Sequence, residues 1–311
     1  MADLLDDPVT TPFSVARAPS EGDLDLPEHP RPLDESTRAR ALLAAQPVVE
    51  GHTQPPHVIA PDPEDLPPAR AAEAGAQLWS LRVEADEGVL GTLRRIDAVR
   101  ALVAACPEDL RVASTTSEME HARNCGRVAV VLGAVSWSAV GGSPATLRAY
   151  HALGVRAVNL TRYDRFAREA VREMNRLGLT VDLAGADPDT VSQVLAVSRA
   201  PVLLTRAEPD GPLPDDVLRL LGEKSGACLV PAGPDPTAAA DALDRIRTLA
   251  GPRSVGLAGT ADPGTGYVPL FAELIRRDWP APDLVGLAHG NVTRVLRETE
   301  FRARAARAKA A

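Results

Sequence analysis

The chain has 311 residues, 45% hydrophobic and 24% charged, enough for one large domain of roughly 250 residues plus tails. Only 3% are aromatic, so the core must be built from Ala, Val and Leu. A net charge of −8 leaves no basic footprint for nucleic acid, and no apolar run reaches the ~18 residues of a membrane span.

The first residues, MADLLDDPVTTPFSV, carry neither a basic n-region nor an apolar h-region, so no secretion signal is expected. Three cysteines, Cys106, Cys125 and Cys228, show no paired spacing and read as reduced core thiols of a cytoplasmic protein. Residues 1–36 are acidic and Pro-rich and are expected to be a disordered arm. Residues 37–306 read as one domain, and 307–311 as a tail.

After a short helix at 37–45, β-rich runs recur at 47–51, 75–83, 127–133, 155–160, 179–183, 201–205, 227–230 and 254–258. Helical patterns separate nearly all of them. One carries Phe166, Ala167, Ala170, Val171, Met174 and Leu177 on one face, with Gly178 as its stop. The next opens at Asp187-Pro188, a capping carboxylate followed by proline at the first helical position. Another opens at Asp235-Pro236, and closing helices follow at 267–277 and 291–306. Strand, crossover helix and parallel strand, repeated eight times without a change of composition, predict an α/β fold: a (β/α)8 TIM-type barrel with a disordered acidic N-terminal arm. An open doubly wound sheet is the alternative, but no Gly-x-Gly-x-x-Gly follows a strand. In a barrel the chemistry stands where strands end, so those positions are the candidates.

Six collinear stretches over about residues 40–300 carry a resemblance: VEGHTQPP, RVAVVLGAVSWSAVGG, LGVRAVNLTRYD, VDLAGAD with APVLLTRA, SVGLAGTADPG, and LAHGNVTRV. Together they resemble the membrane dipeptidase (renal dipeptidase) family. The resemblance implies a dimeric zinc dipeptidase, with two zinc ions sharing a carboxylate and activating a water. It implies ligands from a His-x-Asp after the first strand, a bridging Glu, and two later His. Position by position, His52 is kept, but Gln54 stands at the Asp. Val135 stands at the bridging Glu, Ser138 at the substrate His, Gly185 and Arg206 at the two ligand His, and Arg162 at a third family His. Thr260 replaces one Asp near the last strand, whereas Asp262 keeps the other. Asp182, Gly256, Gly290, Asn291 and Arg294 match the family's scaffold.

Zinc needs three or four Cys, His, Asp or Glu donors, and this set offers little beyond His52. Arg206, if it faces the site, opposes a divalent ion by about 8 kcal/mol at ~4 Å and an effective dielectric of ~20. The expectation is a catalytically silent barrel with no cofactor, or at most one weakly bound ion. It would pair with itself or with a live dipeptidase barrel, without nucleic acid or membrane. A dipeptidase with a reduced metal site, and a carboxylate-binding module using Arg162 and Arg206, are the alternatives.

Overall fold

A computed structural model describes residues 33–53, 73–205, 213–259 and 266–310. The segments 1–32, 54–72, 206–212 and 260–265 fall outside it. So do Gln54, Arg206, Thr260 and Asp262, and the arm proposed to be disordered. The chain divides at Leu33, and everything below concerns the unit that starts at Asp34.

Nine strands are described, all pairing in parallel: β1 (Val48–Thr53), β2 (Ala74–Trp79), β3 (Leu110–Val112), β4 (Val128–Ser136), β5 (Val155–Asn159), β6 (Thr180–Asp182), β7 (Leu203–Thr205), β8 (Ala227–Pro231) and β9 (Val255–Ala258). The order runs β2-β1-β9-β8-β7-β6-β5-β4, and β2 pairs with β4, which closes an eight-stranded barrel. Those eight are the eight runs anticipated above. β3 is additional. It pairs with β4 over 128–130 while β2 holds β4 over 129–132, so β3 must use the edge that β5 takes higher up, at 132–136. Its three residues are too few to show an alternation. β2 ends at Trp79 rather than continuing to residue 83.

The helices are α1 (Glu35–Ala45), α2 (Gly88–Ala105), α3 (Thr116–Asn124), α4 (Trp137–Val140), α5 (Pro144–Ala152), α6 (Ala167–Leu177), α7 (Pro188–Val197), α8 (Asp215–Glu223), α9 (Pro236–Ala250), α10 (Val268–Arg276), α11 (Ala281–Val285) and α12 (Asn291–Ala310). Their ends follow the local chemistry. In α6 the face Ala167, Ala170, Val171, Met174 and Leu177 is buried. Gly178, at φ 89°, ends it by donating its N–H to the Met174 carbonyl at 2.9 Å. The Asp187 carboxylate caps α7 by accepting from the Thr190 N–H at 2.7 Å. α12 runs to Ala310, past the expected stop at 306.

The core has two layers. Val48, Val130, Val158, Val181 and Leu257 pack outward against the helices. Val49, Ala76, Leu78, Ala129, Val131, Leu203 and Leu229 form a second cluster, completed by Val292, Val295 and Leu296 of α12. The last helix therefore plugs the N-terminal end of the barrel, and full burial of Val292 and Val295 contributes about 1.5–3 kcal/mol each. Two sequence features make the plug possible. A Cβ at Gly256 would stand 2.5 Å from Leu229 and 3.1 Å from Val292. Asn291 donates its amide to the Pro252 and Val255 carbonyls at 2.9 and 2.8 Å, tying the start of α12 to the start of β9. His289 lies inside a π-helical turn, Gly286–Gly290, continuous with α12. The cysteine expectation holds in part. Of the three expected in the core only Cys228 is buried; Cys106 is half-buried and Cys125 is exposed on the end of α3.

Candidate functional site

With the N-terminal end plugged, the open end of the barrel is where the strands terminate. The strands end on polar residues: His52 and Thr53 on β1, Asn159 on β5, Asp182 on β6 and Thr205 on β7. Pairing of Asn159 with Asp182 puts both at one level of the rim. His52 Nδ1 lies 3.8 Å from Asp182 Oδ2. The other carboxylate oxygen, Oδ1, accepts from the Ala184 N–H at 3.1 Å and from the Thr205 hydroxyl at 3.4 Å. Asn159 Nδ2 lies 3.5 Å from Asp182 Oδ2 and donates to the Ala184 carbonyl at 2.9 Å. Asp182 was expected to be scaffold. It is also the polar centre of the mouth.

Burial sets the charge state here. It pushes the His52 imidazole below its ordinary value, with the Asp182 carboxylate opposing and the Arg82 guanidinium adding to the depression. Burial pushes the Asp182 carboxyl up, against His52, the Ala184 N–H, Arg82 and the Thr205 hydroxyl. Both shifts follow from loss of water, which disfavours the charged form of each group.

Beneath His52 on the same strand, Glu50 is 4% exposed. Its carboxylate accepts from Thr53 Oγ1 at 2.5 Å and from the Tyr267 hydroxyl at 2.6 Å. A Cβ at Gly259 would stand 2.9 Å from Glu50 Oε2 and 3.0 Å from Thr53 Oγ1, so a side chain there would press on this hydrogen-bonded pair. Glu50 therefore ties β1 to the segment entering α10. The cost of burying a carboxylate is offset by two hydroxyl donors.

The remaining sequence candidates separate. Val135 is fully buried in the apolar layer against the helices, while its neighbour Ser136 lines an open cleft of about 720 Å³. Ser136 Oγ is engaged by the Val83 backbone at 3.0 Å. Ser138 and Arg162 line the same cleft, with Arg82, Arg95 and Asn159. Arg162 is 74% exposed and lies 3.8 Å from Asp164, a loose surface pair. Trp137 stacks on Phe166 at 5.7 Å and donates its indole N–H to Asp164 at 3.0 Å, whereas Trp79 is buried in the core. Gly185 has φ 73° with nothing near its missing Cβ. The β6 turn has a left-handed residue where the family resemblance places a histidine. Sequence reasoning passed over Asn159, Thr205 and Arg82. The available signal was a polar residue closing an otherwise apolar strand.

Zinc takes three or four donors at 2.0–2.3 Å. Among the described residues no group of three or more His, Cys, Asp or Glu side chains is placed to hold a metal ion. Among the described residues His52 and the hydrogen-bonded Asp182 do not by themselves make up a two-zinc centre, and Val135 has no lone pair to offer as a bridge.

A family model for the membrane dipeptidases, peptidase family M19, matches residues 36–167 and 163–310. Dipeptidase aclJ of Aspergillus oryzae is 31% identical, over 77% of this chain and 71% of its own length. Dipeptidase 3 of Homo sapiens is 28% identical, over 89% of this chain and 70% of its own. Among solved structures, the probable dipeptidase PvdM from Pseudomonas aeruginosa superposes with a TM-score of 0.78 at 16% identity, over 86% of this chain and 99% of that one. A metallopeptidase from Rhodobacter sphaeroides, liganded with a phosphinate mimic of L-Ala-D-Ala, gives 0.72 at 18% identity, over 81% and 99%.

Proposed function

The chain belongs to the membrane dipeptidase family, and from that premise we propose that it is a dipeptidase barrel without dipeptidase chemistry, serving in the cytosol as a partner of a second barrel of its family. One observation carries this reading. Of the two donors that face each other at the mouth, Asp182 is hydrogen-bonded to the barrel's own groups and His52 lies 3.8 Å from it, and among the described residues no group of three or more His, Cys, Asp or Glu is placed to hold a metal ion. The family is one of zinc metallopeptidases, so a chain that keeps the barrel and not the donor set has been kept for its surface. The cysteines, none of them in a disulfide, agree with a reducing compartment. Among the described residues no helix is long and apolar enough to cross a membrane.

A surface for the partner is at hand. Val89, Leu90 and Leu93, on the first turns of α2, are 44%, 58% and 39% exposed. Three large apolar side chains grouped on one helix end are the kind of patch that an interface covers. A second reading, a carboxylate-binding module, is favoured by Arg82, Arg95 and Arg162 around the cleft.

The test has two parts. Protein purified without chelator should hold far less than one zinc per chain and should not hydrolyse dipeptides. Co-expressed with an active family member from the same genome, it should elute as a complex that Leu90→Asp breaks. Stoichiometric zinc with chelator-sensitive dipeptide turnover overturns the reading in favour of a working dipeptidase with an altered site.

A further inference from the structure

A second cavity, of about 140 Å³, lies at the opposite end of the barrel, between the starts of β1 and β2, the end of α3 and the start of α12. That is well above the roughly 10–15 Å³ that a single water requires on the same measure. Its polar wall is Arg123, Arg297, Thr293 and His289, with Glu120.

These groups are unequally used. Arg297 pairs with Glu120 across the cavity. His289 Nε2 is 2.7 Å from Gln46 Oε1. Arg123 has no hydrogen bond or ion pair from its side chain to any described residue. Two guanidinium groups face one carboxylate, so the cavity carries an excess positive charge. The backbone makes room for that charge. A Cβ at Gly75 would stand 3.0 Å from Arg123 Cδ, so β2 has no side chain where the arginine lies. Arg123 is also close enough to His289 to depress it further, as an uncompensated cation does.

We propose that this cavity binds a small tetrahedral oxyanion, phosphate or the phosphate group of a monoester, with Arg123 as its principal donor and Thr293 and Arg297 beside it. An unspent guanidinium in a partly desolvated cavity is oxyanion chemistry, because its fork of N–H groups matches two oxygens at once. The tetrahedral choice follows from where the donors come from. Arg123 reaches in from α3, and Thr293 and Arg297 from α12. A planar carboxylate is satisfied by a single fork, whereas a phosphate has oxygens left for the second wall. The site is independent of the mouth and of the partner reading.

Calorimetric titration at fixed ionic strength tests it, with inorganic phosphate, glycerol phosphate and acetate as probes. Wild-type protein should bind phosphate more tightly than acetate. Arg123→Ala should weaken phosphate at least tenfold, and Arg219→Ala, exposed on α8 and outside both pockets, should leave it unchanged. Glycerol phosphate binding more tightly than phosphate identifies a monoester ligand, and weaker binding identifies the free ion. No phosphate binding by the wild type, equal affinity for acetate, or an Arg123→Ala variant that binds as well as wild type overturns the proposal. Should Arg123→Ala fail to fold, Thr293→Val is read instead. It should cost several-fold in affinity, and an unchanged affinity also sinks the idea.

Discussion

The two ends of this barrel spend their polar groups differently. At the open mouth, Asp182 is the acceptor for the Ala184 N–H and the Thr205 hydroxyl and faces His52, so its lone pairs are committed inside the protein. At the plugged end, Arg123 and Arg297 answer a single carboxylate, Glu120, and one guanidinium is left over. A buried polar group with all its bonds made contributes to stability, and one with a bond to spare is available to a ligand. The mouth of this protein is on the first side of that division and its base is on the second.

The hardest blow to the comparison is Asp182→Ala. If the carboxylate is structural, its loss leaves the Ala184 N–H, the Thr205 hydroxyl and His52 without their partner inside the barrel. Destabilisation of roughly 2–4 kcal/mol is expected in urea unfolding at neutral pH. A change under ~1 kcal/mol would mean that Asp182 was held ready for something else.

Restoring the family's histidine is the next test. Gly185 sits in the left-handed region, so Gly185→His should cost about 1–2 kcal/mol in the same measurement, without conferring zinc binding. A stabilised variant that takes up metal would show that the turn still fits a ligand.

The smallest effect compares the two ends through their histidines. Burial holds both His52 and His289 below the ordinary value of about 6.5; Asp182 opposes this at the mouth, and Arg123 adds to it at the base. A histidine depressed in the folded state contributes stability that is fully present above the unfolded-state value and is lost as pH falls towards the folded one. Each of these histidines should therefore contribute a decline in stability on acidification below about 6.5, by at most ~1.4 kcal/mol per pH unit, which the raised Asp182 carboxyl opposes at the mouth. His52→Gln and His289→Gln should each flatten the slope of unfolding free energy against pH, and a slope unchanged in both variants would refute the assignment. Phosphate should restore part of the loss at the base alone, since an anion there favours a protonated His289.

How much of this was legible beforehand varies by element. All eight barrel strands stand where the alternation of apolar runs and helical faces placed them, because a strand buried on both faces reads as a continuous apolar run. The ends of α6 and α7 were equally plain, since Gly178 and Asp187 act on their own neighbours. β3 was not legible. Three residues, Leu-Arg-Val, are a strand only because the lower edge of β4 is vacant beside them. That Val135 and Gly185 stand where the resemblance places a carboxylate and a histidine could be read residue by residue, but which side chain of the β4 end reaches the cleft could not. That residue is Ser136, since Val135 turns into the apolar layer.

The positions of the eight barrel strands and the helix caps were therefore properties of the sequence alone, each decided within a few residues of chain. Closure of β2 on β4, the meeting of His52 with Asp182 and the leftover charge of Arg123 were decided by the tertiary structure. Each of these joins segments that are distant in the chain, and whether a polar group is spent or free depends on every neighbour it meets after folding, which no local pattern records.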